Sequence, residues 1–262
     1  MPDAPAPRPA LDPSRFLDLP APLRVEVVDQ AGSTNALVAD RARAGEEDGL
    51  VVVTEHQTAG RGRLDRVWET PPRVALTFSL LLRPDVPPAA WPWLPLLVGY
   101  AVQGSLADRL PEVALKWPND VLVGERKIAG ILVERVETPT GPAAVVGVGI
   151  NVNQTPEELP VDTATSLCAE LEETFDRSDL LVQVLGSLHA LQPLLAETSA
   201  LRPAYADVCS TLGRTVDVHL PGGEVVRGEA LDLDDSGALV VSSGTGTFSV
   251  NAGDVVHVRP VG

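Results

Sequence analysis

Four stretches of this sequence carry residue types better suited to chemistry than to packing. The first, Thr54–Trp68, reads TEHQTAGRGRLDRVW: Gly60 and Gly62 alternate with Arg61 and Arg63, and Arg66 follows. Glycine lets a backbone approach a ligand closely, and guanidinium forks match the paired oxygens of a phosphate or carboxylate. Within Gly60–Trp68, three arginines against the single acid Asp65 make a local cationic patch. A solvated loop is the bland alternative. The stretch has neither GxxxxGK[ST] nor GxGxxG spacing, so it is neither a Walker loop nor a dinucleotide fingerprint.

The second stretch is Leu115–Glu134, LKWPNDVLVGERKIAGILVE. Pro118 fixes its own φ and drives Trp117 toward extended backbone. Asn119 and Asp120 then supply side-chain oxygens for a turn or for a magnesium ion. Lys127 opens an otherwise apolar strand, with Ala129 and Gly130 leaving room beside it; a lysine there is either functional or an edge guard. In the third stretch, Val145–Asn153 (VVGVGINVN), alternation puts Val146, Val148, Ile150 and Val152 on one face. The opposite face, Gly147, Gly149, Asn151 and Asn153, packs poorly and suits a ligand floor. The fourth, Gly32-Ser33-Thr34-Asn35, caps a helix and stands where free backbone N–H groups gather.

Around these stretches the pattern predicts strands at Leu23–Val28, Leu50–Glu55, Val74–Arg83, Val113–Lys116, Asp120–Val123, Lys127–Val136 and Ala143–Asn153. Helices are expected over Asn35–Ala44, Trp91–Leu110, Thr163–Glu173 and Asp179–Leu195. Residues 1–22 hold prolines at Pro2, Pro5, Pro7, Pro9, Pro13, Pro20 and Pro22 and read as an extended or flexible arm. From Thr211 onward, short alternating runs are broken by Pro221-Gly222-Gly223, Asp235-Ser236-Gly237 and Gly244-Thr245-Gly246, the signature of a small β-barrel. The expected division is thus an arm at 1–22, a main domain at 23–205 and a small β domain at 211–262.

The formal net charge of −16 argues against duplex nucleic acid as the main partner, because phosphates demand a basic face. Cys168 and Cys209 form no CxxC pair, which argues against zinc and fits a reducing cytosol. The absence of a long apolar run leads us to expect a cytoplasmic protein without a membrane span. Monomer and weak homodimer both stay open.

A strand leading into Ser-Thr-Asn, then QTAGRGR…W, then KWPND…RKIAGILVE, then GVGINVN, in this order, resembles the biotin–protein ligases over Val25–Asn153. The resemblance implies an α+β fold: a mixed β-sheet catalytic domain flanked by helices, class II synthetase-like, with a small C-terminal SH3-like β-barrel. It implies ATP and Mg2+ as requirements, biotin as substrate, and a biotin carboxyl carrier domain of a carboxylase as partner. Carried over by position, Lys127 and Arg63 become the catalytic residues. Ser33, Thr34, Asn35, Gln57, Gly60, Arg61, Gly62, Arg63, Lys127, Gly130 and Gly147 become biotin contacts. Arg61, Arg63, Arg66, Trp68, Lys116, Asn119, Lys127 and Asn151 fall to ATP and the adenylate, with Asn119 and Asp120 near a metal. Family loops often read GRGRRGR, and Leu64-Asp65 stand here in place of Arg-Gly. A DNA-binding helix-turn-helix, and with it repressor activity, is not expected from a 22-residue Pro-rich arm. A lipoate ligase of related fold is disfavoured by the GRGR loop, and a non-catalytic biotin sensor by the retained Lys127.

Overall fold

The computed structural model describes residues 8–63, 66–68, 70–219, 223–244, 246–251 and 254–257. Its centre is a seven-stranded sheet in the order β1-β2-β5-β9-β8-β7-β6. The strands are β1 (Arg24–Ala31), β2 (Leu50–Gln57), β5 (Ala75–Leu82), β6 (Val113–Lys116), β7 (Asp120–Val123), β8 (Arg126–Thr138) and β9 (Gly141–Asn151). β1 and β2 run parallel across helix α1 (Thr34–Arg43), and every other neighbour pair is antiparallel. Two short strands, β3 (Gly60–Arg61) and β4 (Val67–Trp68), pair with each other above this sheet.

Alternation along β9 decides the layering. Val146, Val148 and Ile150 join Leu76, Phe78 and Leu80 of β5 in the main core. Helices α2 (Leu94–Ala107) and α4 (Arg177–Leu191) cover that face. On the other face, Ala143 and Val145 pack under Val38, Ala39 and Ala42 of α1. The helix reaches only that far, so the rest of the face, at Gly147, Gly149 and Asn151, is left for the cavity.

Helix α2 starts later than the sequence suggests: Pro88–Trp93, holding Pro92, is a 3-10 turn, and the α-helix begins at Leu94. The helix expected over 163–173 shrinks to α3 (Leu167–Leu171), capped by Ser166. Helix α5 (Thr198–Asp207) escaped the sequence reading; it carries Pro203 in its interior and buries Leu201 and Tyr205.

Over residues 8–22 the Pro-rich arm packs against the body of the protein. Arg8 pairs with Glu158, the Leu11 N–H donates to Glu55 Oε1 at 2.7 Å, and Arg177 donates to the Pro9 carbonyl at 3.0 Å. Asp12 caps a 3-10 turn at Pro13–Phe16, and Leu11 and Phe16 are buried. Proline forbids a helix here but not packing, and Leu11 and Phe16 anchor the segment. Residues 1–7 lie outside the described residues, as do Pro221, Gly222 and Thr245 of the expected turns.

The C-terminal portion is a five-stranded antiparallel sheet in the order β13-β12-β11-β10-β14. Its strands are β10 (Thr215–His219), β11 (Val225–Leu233), β12 (Leu239–Ser243), β13 (Gly246–Val250) and β14 (Asp254–His257). Val216, Val218, Leu233, Leu239 and Val241 point inward and are fully buried. The turn at 234–238 rests on the larger portion: Trp93 Nε1 donates to the Asp235 carbonyl and Trp117 Nε1 to the Gly237 carbonyl, each at 3.0 Å.

Candidate active site

A cavity of about 620 Å³ opens over the uncovered face of the sheet. Gly147 and Gly149 form its floor because no side chain fits there. A Cβ on Gly147 would collide with the Asn35 amide, and one on Gly149 would lie 2.6–2.8 Å from the Trp68 indole. Gly130, directly across from Gly149 in the ladder, extends the floor onto β8; a Cβ there would stand 2.9 Å from Lys127 Nζ.

Lys127 reaches this face because β8 carries a bulge. Ala129 pairs with Val121 but Lys127 pairs with Leu122, so Ile128 is the extra residue. Ile128 and Ala129 both point into the core, which turns Lys127 to the same side as Gly130. The Lys127 backbone is held from the far side: its N–H donates to the Thr163 carbonyl at 2.7 Å, and its carbonyl accepts from Thr165 at 2.8 Å. Lys127 Nζ is 2.6 Å from an Asp120 carboxylate oxygen and 5.6 Å from the Trp68 ring centroid. The ammonium is thus fixed between an acid and an aromatic face.

At one end, Ser33 caps α1 and Thr34 and Asn35 open the helix. Gln57 Oε1 accepts from the Thr34 N–H at 2.9 Å and lies 3.3 Å from its hydroxyl. Ser79 Oγ, fully buried on β5, is 2.7 Å from Thr34 Oγ1 and 2.6 Å from Asn35 Oδ1. The result is a buried polar cluster with its donors and acceptors already matched, and such a network is rigid. Gly60 stands behind it: a side chain there would strike the Gln57 amide and the Trp68 carbonyl.

At the other end, Asn151 lines the cavity, but both ends of its amide are paired, to the Thr165 carbonyl at 2.9 Å and to Gln154 Nε2 at 2.8 Å. Arg61, Arg63 and Arg66 line the open side, and Arg63 donates to Asn119 Oδ1 at 3.1 Å. Trp68 Nε1 is buried without a hydrogen-bond partner beside the glycine floor. Leu64 and Asp65, the departure in the loop, lie outside the described residues.

The structure therefore brings together nearly all the residues singled out from the sequence, with two corrections. Lys116 does not line the cavity. Val113 and Leu115 turn into the core, so Lys116 shares the cavity face with its ladder partner Asp120, but it stands on the edge strand, outside the lining, where its charge acts on His257 of β14. Asn153 does not extend the floor; it clamps Phe175 through both backbone groups, at 2.8 and 2.9 Å. The sequence reading missed Ser79, Thr77 and Glu134. It also missed the segment with Pro160, Val161, Thr163 and Ala164, which forms the opposite wall. Polar residues within the apolar run of β5 were the available signal for Ser79 and Thr77.

No cluster of three acidic, cysteine or histidine side chains suited to a metal occurs among the described residues. Asn119 and Asp120 offer one amide and one carboxylate at the cationic end. Asn119 already pairs with Arg63 and the Ile131 carbonyl and Asp120 with Lys127, so the free carboxylate oxygen of Asp120 is the donor that would hold Mg2+, which takes one or two protein oxygens and the rest from phosphates and water.

A polar cluster, a fixed ammonium and a cationic loop around one cavity define a site for an anionic substrate and a nucleotide. Residues 27–151 match the Biotin/lipoate A/B protein ligase family, and residues 211–258 match the Biotin protein ligase C terminal domain. The chain is 43% identical to the biotin–[acetyl-CoA-carboxylase] ligase of Mycobacterium tuberculosis, over 90% of each chain. It is 33% identical to the bifunctional ligase/repressor BirA of Escherichia coli, over 83% of this chain and 68% of that protein. Among solved structures, the biotin protein ligase of Aquifex aeolicus in complex with biotin and ATP superposes with a TM-score of 0.75 at 28% identity, covering 90% of this chain and 98% of that one. The chain belongs to the biotin–protein ligase family.

Proposed function

We propose that this protein uses ATP to activate biotin and transfers it to a lysine of a biotin carboxyl carrier domain. Residues 23–205 would carry the chemistry, with 211–262 contributing Ser236, Gly237 and Ala238 to the neighbouring cavity. In the first step a biotin carboxylate oxygen bonds to the α-phosphorus of ATP, and the bond to the bridging oxygen breaks, releasing pyrophosphate. In the second, the acceptor amine attacks the carbonyl of the mixed anhydride. The carbon–oxygen bond breaks, AMP leaves and the nitrogen loses its proton.

The first step brings two anions together, so the site must supply fixed positive charge. Lys127 meets that demand: Asp120 and the Trp68 face hold its ammonium over the floor between the two ends of the cavity. This placement carries the proposal. Ser33, Thr34 and Gln57 would hold the ureido head, and Arg61 and Arg63 the phosphates. The adenine would lie toward Trp68 and Asn151, with Asn151 serving as a wall because its amide is already paired. Mg2+, when bound near Asn119 and Asp120, neutralises phosphate charge. Among the described residues no helix is long and apolar enough to cross a membrane, which is compatible with an acceptor met in the cytoplasm.

The test is ATP–pyrophosphate exchange. It should depend on biotin and fall about 100-fold or more in Lys127→Ala, since a fixed charge acting at the reacting centre contributes factors of this order. Exchange without biotin, or stimulation by lipoate in preference to biotin, refutes the assignment.

A further inference from the structure

Glu134 follows the glycines of β8 and has no place in the chemistry above. It lines a neighbouring cavity of about 550 Å³ rather than the substrate cavity. Ladder pairing puts it opposite Val145, on the same face as Gly130 and Leu132 and beside the start of α1. There Glu134 Oε2 accepts from Asn35 Nδ2 at 2.7 Å, while Oε1 is 3.7 Å from the Arg61 guanidinium.

Asn35 is only 5% exposed, and its amide is held at both ends. Ser79 Oγ stands 2.6 Å from Oδ1, and the Glu134 carboxylate takes Nδ2. An ionised carboxylate only accepts, so the amide nitrogen must face it and the oxygen must face the Ser79 hydroxyl. Gly147 leaves no slack, since Asn35 already fills the space a Cβ would need. One acid outside the cavity therefore fixes which way a cavity amide points.

We infer that Glu134 is a positioning residue for substrate binding: it fixes the Asn35 amide at the head end of the cavity, and so sets biotin affinity without touching biotin. The inference rests on the biotin reading above. Hydrogen bonds to a charged group are the stronger kind, so the effect is measurable.

The test uses the full chain, with biotin binding measured calorimetrically without ATP and unfolding followed in parallel. Glu134→Ala should weaken biotin binding on the order of tenfold. Glu134→Gln, which keeps an acceptor for Asn35, should stay within about threefold of the parent. Combined with Asn35→Ala, Glu134→Ala should add less than about twofold, because the pair acts as a unit. Asn35→Asp, which sets two carboxylates face to face, should bind poorly, and Glu134→Gln should restore much of the loss. Parent-like binding by Glu134→Ala overturns the inference, as do fully multiplied penalties in the double variant. So does a failure of Glu134→Gln to improve Asn35→Asp, which decides the matter even if Glu134→Ala does not fold. A parent protein that binds no biotin refutes the proposed function instead, before any variant is compared.

Discussion

Replacing Gly147 by alanine tests the tightest point of the cavity. The added methyl would overlap Asn35 Oδ1 and stand 2.9 Å from its Cγ and 3.1 Å from its Nδ2. Carbon contacts settle near 3.5–4.0 Å, so Asn35 must retreat by roughly half an ångström or more. It has no free direction: Ser79 is 2.6 Å away and Glu134 2.7 Å, and its backbone belongs to α1. The retreat therefore stretches one neutral and one charge-assisted hydrogen bond. Together these are worth about 2–4 kcal/mol, part of which relaxation recovers. That sum divides between folding and binding. We expect a melting temperature lower by about 2–6 °C for a chain of this size. We also expect biotin affinity to fall at least tenfold, about 1.4 kcal/mol. Calorimetric titration with biotin alone, on protein shown to melt cooperatively, measures the second. An affinity within twofold of the parent would refute the claim that Asn35 is locked against this floor.

Gly149→Ala acts on the end proposed for the nucleotide, because its methyl displaces the Trp68 indole; KM for ATP should rise at least fivefold, with biotin binding changed less, and equal effects on both would refute the proposed division of the cavity. Arg177 is 1% exposed and pairs with Glu55 while holding the Pro9 carbonyl. Arg177→Ala leaves Glu55 buried and uncompensated, which costs about 3–5 kcal/mol; thermal unfolding should shift down by about 6–20 °C, and limited proteolysis should reach residues 8–22. An unchanged melting point would show the segment to be held otherwise. His257 has its pKa lowered to about 4, first by burial and then by the nearby Lys116 and Arg214. The folded state therefore binds fewer protons than the unfolded state, whose histidine titrates near 6.5. Stability is full above that pH and declines as pH falls toward 4, by up to about 3 kcal/mol. His257→Asn should flatten that part of the stability profile, and a parallel profile would argue against the buried neutral imidazole.

Much of the site could be read from order and alternation. The glycine–amide face of β9 follows from a period of two, and the Gly/Arg loop is conspicuous in an acidic chain. What stayed hidden depends on long-range placement. The bulge at Ile128 cannot be seen in RKIAG, yet it alone turns Lys127 to the cavity. Ser79 sits in an apolar run and gains its role only because α1 starts above it. Lys116 was assigned with its motif; parity does put it on the cavity face, but on the edge strand β6 it stands beside His257 and outside the lining. The packing of the Pro-rich segment was not legible because composition reports what a chain cannot propagate, not what two well-placed apolar side chains can anchor. Helix α5 escaped because Pro203, a helix breaker by propensity, is accommodated by the burial of Leu201 and Tyr205.

The indole N–H groups of Trp93 and Trp117 both end on carbonyls of the 234–238 turn. Removing the small sheet would strip the acceptors from two large side chains of the larger portion, one of them in the same WPND turn that supplies Asn119 and Asp120. The two matched segments are therefore not beads on a string. They share one seam, so heating should give a single endotherm, and grafting a foreign C-terminal module would disturb the WPND turn from behind.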